Sequence, residues 1–320
     1  MGSTRSARVG RSRVSKPVVA MLAAALSVIL PLVAAEDGPD WNGFRGNNAV
    51  AERAKLPDAF KKDGALWRAD VPAGYSSPVV SGDDLIVTAT EEKSLLTICL
   101  DRRTGEERWR TAIEFSGEKA GIGSPSAPTP AADGTGIYVA FKDVGMVAFE
   151  LDGKERWRQS LGDLSIPHGL AASPVMHGDV VIMQVDEDLK AYLVAFDKRT
   201  GEQKWRTERT GFLHGYSSPV IYAPEQGDAE VIVNGSFKIC GYSVETGDML
   251  WWVDGAAYAA MTVPVIVGDR CFVNAYQLPT SEFGMPPMTQ SFDELLKEHD
   301  ANVEGRALPA RVIERLKGAR

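Results

Sequence analysis

Cysteine and histidine are both scarce in this chain of 320 residues. The three cysteines, Cys99, Cys240 and Cys271, are far apart and odd in number, so the sequence predicts no disulfide framework. We expect all three to be buried as small apolar side chains. There is also no zinc-spaced set of cysteine and histidine, no nucleophile elbow and no phosphate-binding loop. These absences favour a protein that is not an enzyme.

The first 35 residues have the composition of a secretory signal peptide. Five basic residues and no acidic one precede an apolar run, and small residues follow that run at 33–35. The pattern predicts cleavage before Glu36, with an uncleaved membrane anchor as the alternative. We therefore expect residues 1–35 to be removed, the mature chain to be periplasmic or extracellular, and no stable membrane insertion after cleavage.

Acidic residues outnumber basic ones in the predicted mature chain. It keeps 30 basic residues, the 35 of the whole sequence without the five in the leader, against 43 acidic ones. The resulting formal net charge of −13 argues against nucleic acid or an anionic membrane as the partner.

Two landmarks return along the chain with a common period. The recurring tryptophans are spaced by 48, 48 and 46 residues and are Trp109, Trp157, Trp205 and Trp251. A proline within a short apolar stretch recurs in phase with them, as Pro78, Pro128, Pro174, Pro219 and Pro264. A shared period of this length predicts a propeller, an array or a solenoid.

Each repeat reads as four short strands. A turn with a Thr-Gly pair, such as RTGEERWR at 103–110, leads into the strand that carries the tryptophan. Glycine supplies the positive φ of this turn, and Asp101 or Asp197 can bond to the backbone amides ahead of it. No helical hydrophobic period interrupts the stretch from Asp40 to Leu278, which excludes helical repeats and strand–helix–strand units there.

The proline and the tryptophan both suit a propeller blade. Proline lacks an amide N–H and belongs at an edge strand or a strand start, as in the innermost strand of a blade. The tryptophan ring can fill the seam between neighbouring sheets. The sequence predicts an all-β fold of four-stranded antiparallel blades over residues 40–280. A parallel β-helix is the alternative, although its rungs are shorter.

These features resemble the pyrroloquinoline-quinone-like (PQQ-like) β-propeller repeat, whose unit ends in a strand, an Asp-x-x-Thr-Gly turn and a tryptophan. The stretch DWNGFRG, Asp40–Gly46, is similar to the start of secreted members of that family. The resemblance implies an eight-bladed ring. Its members are either quinoprotein dehydrogenases, which use PQQ with Ca²⁺, or non-catalytic scaffolds such as those of outer-membrane β-barrel assembly.

The chain departs from this family in its length. It holds five proline-containing copies and four tryptophan hairpins, so about five blades are present. The expected structure is a truncated propeller, a smaller ring, or a ring completed by a partner. The lipoprotein cysteine of the scaffolds and the adjacent cysteine pair of many quinoprotein dehydrogenases are both absent.

Residues 288–320 follow a helical pattern instead. We expect a small helix-loop-helix whose loop resembles an EF-hand, with Asp300, Asn302 and Glu304 at the first metal-ligand positions. Arg311 stands where the bidentate glutamate should be. The loop is therefore either a weak Ca²⁺ site or a degenerate element kept for packing.

Four residues before the inner strands are candidates for a binding face at the mouth of the channel. They are Tyr75, His168, His214 and Tyr216. The alternative is ordinary loop packing, since loops at a propeller mouth are often polar and aromatic.

Two functions are compatible with the sequence. The first is a secreted, non-catalytic scaffold that binds a protein partner in the cell envelope and needs no cofactor. The second is a quinoprotein oxidoreductase, or a fragment of one, in which PQQ carries the chemistry. The intact repeat without catalytic signals favours the scaffold.

Overall fold

The computed structural model describes residues 64–115 and 123–274, apart from 255, 257, 258 and 269, together with Gly43. The predicted signal peptide, the Asp40–Gly46 stretch except Gly43, and the helix-loop-helix with Asp300, Asn302 and Glu304 lie outside these residues. Within the described part of the chain, no helix is long and apolar enough to span a bilayer.

Four complete blades of four strands follow one another, as the repeat predicts. Blade 1 contains β1 (Val79–Ser81), β2 (Asp84–Glu91), β3 (Ser94–Asp101) and β4 (Glu107–Glu114). Blade 2 contains β5 (Ala131–Asp133), β6 (Gly136–Phe141), β7 (Gly145–Phe149) and β8 (Glu155–Gln159). Blade 3 contains β9 (Val175–His177), β10 (Val180–Val185), β11 (Tyr192–Asp197) and β12 (Gln203–Glu208). Blade 4 contains β13 (Val220–Tyr222), β14 (Glu230–Asn234), β15 (Lys238–Ser243) and β16 (Met249–Asp254).

Two further strands, β17 (Val265–Val267) and β18 (Arg270–Phe272), begin a fifth blade. In every complete blade the strands pair antiparallel in sequence order, from the short inner strand to the outer one. The prediction of an all-β propeller with about five blades is therefore confirmed for the described residues.

The hydrophobic core lies between blades rather than within them. One cluster joins blades 1 and 2, a second joins blades 2 and 3, and a third joins blades 3 and 4. The middle strands are covered on both faces, so β6 and β7 are buried along their whole length. This explains why the middle strands read as continuous apolar runs, while the outer strands alternate with charge.

The Asp-x-x-Thr-Gly turn forms as predicted. Asp101 Oδ1 accepts the amide N–H groups of Arg103 and Thr104 at 2.9 and 3.0 Å. A bond from the Arg108 guanidinium and these backbone bonds hold the pKa of Asp101 well below its usual range. Gly105 then has φ +75° and donates its N–H to the carbonyl of Asp101 at 2.8 Å. The geometry needs a residue without a Cβ at this position.

Each tryptophan of the first three complete blades docks on the turn glycine of the next blade. Trp157 is an example, because its Nε1–H donates to the Lys198 carbonyl at 2.9 Å and its ring covers Gly201. The other two junctions pair Trp109 with Gly153 and Trp205 with Gly247. The predicted packing of blade against blade by tryptophan is confirmed at these three junctions.

The fourth repeat tryptophan behaves differently. Trp251 donates its Nε1–H to Glu230 Oε2 at 2.5 Å, within its own blade, and its ring lies over Gly241 of the neighbouring strand. The sequence reasoning expected the same role for all four tryptophans. The difference has a physical reason, since the described part of the fifth blade contains no Thr-Gly turn on which the ring could dock.

The inner strand begins directly after a proline in all five blades. In blade 2 this proline is Pro130, because β5 starts at Ala131. The sequence reasoning aligned Pro128 with the other prolines, which places the second repeat two residues out of register. The stretch SAPTP offers two prolines, and only the pairing of β5 with β6 identifies the one at the strand start.

Hydroxyl groups join the inner ends of neighbouring blades. The amide N–H of Ser77 donates to Thr129 Oγ1 at 3.0 Å, and that of Thr129 donates to Ser173 Oγ at 3.0 Å. The amide of Ser173 continues the series to Ser218 Oγ at 2.9 Å. Each hydroxyl residue directly precedes the proline of its blade, and Val263 takes this position in the fifth.

Replacing Ser173 by alanine is expected to lower the free energy of unfolding by about 1–3 kcal/mol. The change removes the hydroxyl that accepts the amide N–H of Thr129. Water has little access to replace it, because Thr129 and Ser173 are each 2% exposed. Urea unfolding followed by tryptophan fluorescence measures the effect. Ser173→Thr is the matched control, because threonine already supplies the hydroxyl in blade 2; equal losses from the two substitutions would contradict the role of the hydroxyl.

The cysteines differ in exposure. Cys99 and Cys240 are buried as predicted, and burial raises the pKa of the Cys99 thiol to about 12. Cys271 is exposed, so its predicted burial is wrong. It lies on β18, whose three residues are all exposed because no further strand of the fifth blade covers them within the described residues.

Candidate functional site

Three of the four predicted mouth residues lie together beside the inner strands of blades 3 and 4. The rings of His168 and Tyr216 have centroids 5.7 Å apart, and those of His214 and Tyr216 are 5.8 Å apart. His168 lies in the loop between β8 and β9, and the other two lie in the loop between β12 and β13. The fold therefore brings residues from two successive blades to one place.

Tyr75 is not part of this cluster in the ring contacts that the structure describes. It precedes blade 1 and is 70% exposed. The sequence reasoning placed it with Tyr216 because both lie three residues before a proline. That spacing is the same in the two blades, yet the blades themselves are separated by two others. We refer to His168, His214 and Tyr216 as the mouth cluster.

The acidic loop of residues 186–188, directly after β10, contacts the mouth cluster. Asp188 Oδ1 contacts His214 Nδ1 at 2.7 Å and accepts the His214 backbone N–H at 3.1 Å. Glu187, which is 2% exposed, accepts the amide of Ser165 at 3.2 Å. Burial raises the pKa of Glu187. The carboxylate of Asp188 thus fixes the orientation of the His214 ring.

Burial also raises the pKa of Tyr216 to about 12. The mouth cluster therefore presents two imidazoles beside carboxyl groups, while the hydroxyl oxygen of Tyr216 is buried. Such a set can exchange hydrogen bonds with a polar ligand. Whether it binds one stays a prediction.

A buried ion pair holds the first residue of the acidic loop, Asp186, in place. Arg209 and Asp186 have fully buried side chains and are joined by Nε–Oδ1 and Nη2–Oδ2 contacts of 2.7 and 3.1 Å. Arg209 also donates to the Tyr242 hydroxyl and lies 3.8 Å from the centre of the Phe212 ring. Burial opposes the charge of Arg209, but the carboxylate outweighs it and the pKa lies above its usual value.

The sequence reasoning missed this ion pair. Asp186 and Arg209 are 23 residues apart and belong to segments without a motif. Gln184 adds a bond from Nε2 to Asp186 Oδ2 at 2.7 Å, so the carboxylate has partners on both oxygens. The network holds the loop that ends at Asp188 in place, and it is structural support for the mouth cluster.

Metal ligands are the remaining type of site that the sequence predicted. Among residues 64–115 and 123–274, no group of three or more His, Cys, Asp or Glu side chains could hold a metal ion. The predicted ligands Asp300, Asn302 and Glu304 lie outside the described residues. The Ca²⁺ site therefore stays a prediction.

The outer strand of blade 4 is a second candidate surface. The outer strands of blades 1 and 2 place arginine on both sides of the docking tryptophan, and blade 3 places Lys204 and Arg206 there. In β16 the residues around Trp251 are instead Met249, Leu250, Trp252 and Val253, and they are 43%, 52%, 54% and 54% exposed. We call these four residues the apolar edge. The sequence MLWWV at 249–253 already shows this run of apolar residues, and the sequence reasoning did not identify it as a surface.

The stacked four-stranded blades with tryptophan–glycine junctions define the class of this protein as a PQQ-like β-propeller. The family model described as outer membrane protein assembly factor BamB matches residues 58–210 and 186–278. The chain belongs to this family. No curated protein gives a significant match.

Solved structures share the fold at low sequence identity. A europium-containing methanol dehydrogenase is 13% identical with a TM-score of 0.53, over 70% of this chain and 50% of that chain. Quinohemoprotein alcohol dehydrogenase ADHIIG from Pseudomonas putida HK5 is 17% identical with a TM-score of 0.45, over 59% and 35%. BamB from Moraxella catarrhalis is 15% identical with a TM-score of 0.36, over 63% and 67%. The chain spans half or less of the length of the two dehydrogenases.

Proposed function

We propose that this protein is a periplasmic or secreted scaffold that binds a partner protein of the cell envelope through the apolar edge of blade 4. One observation carries the proposal. Among the four outer strands, only β16 has exposed apolar side chains at the positions where the others have arginine or lysine. Membership of the BamB family supports the scaffold function.

The first three outer strands carry charges that discourage pairing with another chain. Each forms an ion pair along the strand, and these pairs are Arg110–Glu107, Arg158–Glu155 and Arg206–Glu208. Native sheets commonly protect their edges with such charged side chains. The corresponding ion pair of blade 4 joins Asp254, at the end of β16, to Lys238 on the neighbouring strand β15.

An extended segment of a partner fits the apolar edge. Among the residues that the structure describes, no strand pairs with the outer edge of β16, so its backbone groups can pair with an added strand, while side chains such as Trp252 contribute apolar area. Aromatic residues are enriched where binding energy concentrates. We therefore expect the partner to present an extended apolar segment rather than a charged surface.

The experiment compares the wild-type chain with the double variant Leu250→Arg/Trp252→Arg as baits in an envelope extract, with mass spectrometry of the captured proteins. The double variant recreates the Arg-Trp-Arg pattern of blades 1 and 2 and should fold normally. We expect it to lose a defined partner that the wild type retains. The purified partner should then bind wild type alone.

The matched control is Gln203→Ala/Lys204→Ala, which changes the exposed outer strand of blade 3 and should retain the partner. Equal capture by wild type and by Leu250→Arg/Trp252→Arg would refute the apolar edge as the binding surface. Capture of nothing by a monodisperse wild-type chain would refute the scaffold function itself.

The quinoprotein function is the second candidate, favoured by the fold shared with a methanol dehydrogenase. The described residues do not fit PQQ well. The acidic group Asp188 beside the mouth cluster would repel its carboxylates, and Arg209 is already paired with Asp186. Incubation with PQQ and Ca²⁺ tests this function; retained quinone absorbance with dye reduction would establish it in place of the scaffold.

A further inference from the structure

Trp252 and Asp254 lie on one face of the outer strand of blade 4. They are two residues apart on β16, so their side chains point to the same side of the sheet. Trp252 is 54% exposed, and the side chain of Asp254 is 70% exposed. This face therefore presents an indole and a carboxylate to the solvent side by side.

Lys238 on the neighbouring strand β15 holds these two groups in place. Its Nζ lies 2.5 Å from Asp254 Oδ1 and 5.7 Å from the centre of the Trp252 ring. The side chain of Lys238 is only 22% exposed, whereas that of Asp254 is mostly exposed. The charge that this pair presents outward is therefore the negative one.

The backbone groups of the same two residues point away from the blade. In blade 3 the N–H of Arg209, four residues after the docking tryptophan of that strand, donates inward to the Ala191 carbonyl. Inward bonds recur at every second residue of an antiparallel pair, so they fall on the tryptophan and at even distances from it. In β16 the residues one and three positions after Trp251 are Trp252 and Asp254, and we infer that their N–H and C=O groups face the outer edge.

A strand added at this edge would pair directly with these two residues. Residues that exchange backbone bonds lie opposite one another, and their side chains interact across the strands. The residue opposite Asp254 faces a carboxylate, so a lysine or arginine there completes an opposite-charge pair. The residue opposite Trp252 faces an indole, which favours an aromatic or branched apolar side chain.

We propose that the partner segment runs antiparallel to β16 and carries a lysine or arginine opposite Asp254 and an apolar residue opposite Trp252. The proposal rests on partner binding at the apolar edge and adds the charge that selects the partner. The strands of blade 4 already pair antiparallel, so the segment reads basic–x–apolar from its N-terminal side. The formal net charge of −8 on the chain also favours a basic segment.

The combination of an indole and a carboxylate distinguishes β16 from the other three outer strands. The residues at the position of Trp252 in blades 1 to 3 are Arg110, Arg158 and Arg206. An apolar residue of the partner would lie opposite a guanidinium there. Blade 3 has Glu208 at the position of Asp254, but Arg206 of the same strand binds it at 2.8 Å. The segment should therefore select blade 4.

Selection from a random peptide display library tests the predicted pattern. The library is panned on the purified wild-type chain and, in parallel, on the variant Leu250→Arg/Trp252→Arg. Sequences that bind both chains are discarded, because they do not depend on the apolar edge. We expect the remaining sequences to share a lysine or arginine two positions before an apolar residue.

One selected peptide then measures the contribution of the charge by fluorescence anisotropy. Its binding should weaken about tenfold when its basic residue is replaced by glutamate. The variant Lys238→Glu/Asp254→Lys keeps an ion pair and makes the outward charge positive, so it should prefer the glutamate peptide. Asp254→Asn should bind both peptides about equally. The matched control Glu155→Arg/Arg158→Glu exchanges the ion pair of blade 2 and should keep the wild-type preference.

Three results would overturn the proposal. Edge-dependent sequences that accept glutamate in place of the basic residue would leave the apolar edge as a binding surface and remove the charge requirement. An apolar–x–basic order would show that the segment does not run antiparallel to β16. If no edge-dependent sequence is selected, the apolar edge does not bind extended segments, and the proposed function fails together with this inference.

Discussion

Replacing Gly201 by alanine is expected to lower the free energy of unfolding by about 3 kcal/mol. Gly201 has φ +73°, a conformation that costs an L-residue with a Cβ about 1–2 kcal/mol. The added Cβ would also lie 2.7 Å from Cγ and Cδ2 of Trp157. That ring is 8% exposed and belongs to the core between blades 2 and 3, so it has little room to move.

The loss should extend beyond the turn itself. Moving the indole breaks its bond to the Lys198 carbonyl and opens the seam between two blades. Because each blade buries its faces only against its neighbours, a weakened junction separates two groups of blades. We expect the substitution to reduce the cooperativity of urea unfolding as well as its midpoint.

Gly178→Ala is the matched control for this prediction. Gly178 has φ +52°, in the same region, but nothing lies within 4 Å of an added Cβ. It should cost only the backbone strain, about 1 kcal/mol. Urea unfolding monitored by tryptophan fluorescence compares the two variants. If their losses were equal, the contact between tryptophan and glycine would contribute nothing beyond the conformation of the turn.

The blade architecture could be predicted because its determinants are local and repeated. The Thr-Gly turn, the tryptophan and the inner-strand proline lie within one unit, and copying the unit makes each signal visible. The register of the second repeat was wrong because SAPTP contains two prolines at alternate positions. Choosing between Pro128 and Pro130 requires the pairing of β5 with β6, which is a contact between strands.

Trp67 and Cys271 show the limits of the repeat at its ends. Trp67 stands 42 residues before Trp109, close to the period, and its Nε1–H donates to the Arg102 carbonyl in the turn of blade 1 at 2.9 Å, but no Thr-Gly pair precedes it in the sequence. A search for complete units therefore passes over it. The burial of Cys271 was expected from its residue type, but burial in this fold depends on neighbouring strands and sheets, and among the described residues β18 pairs with β17 alone.

The candidate site could be predicted in part. The positions of His168, His214 and Tyr216 relative to the prolines led to their grouping, and the structure brings their rings together; their role in binding stays a prediction. The same spacing from a proline applies to Tyr75, so it could not show that Tyr75 lies apart from the other three residues. The spacing gives the position of a residue within its blade and does not say which blades are neighbours. Arg209 follows β12 in a polar stretch, and nothing local distinguishes it from an exposed arginine.

Replacing Arg209 by methionine is expected to lower the free energy of unfolding by about 3–5 kcal/mol. The methionine can fill much of the space over Phe212, but it leaves the carboxylate of Asp186 buried without its cation. Asp186 is 2% exposed and keeps only uncharged donors such as the Gln184 amide. An unpaired charge in this position costs far more than a missing hydrogen bond.

The double variant Asp186→Asn/Arg209→Met separates the charge from the packing. It removes both charges and keeps a carbonyl oxygen for the Gln184 amide, so it should recover most of the stability lost in Arg209→Met. Breaking a buried pair is costly, whereas replacing the whole pair by neutral groups is often tolerated. Urea unfolding of the two variants and of Asp186→Asn completes the cycle. If the double variant were as unstable as Arg209→Met, the contacts of the guanidinium with Phe212 and Tyr242 would account for the loss, and the ion pair would not be what anchors the loop beneath the mouth cluster.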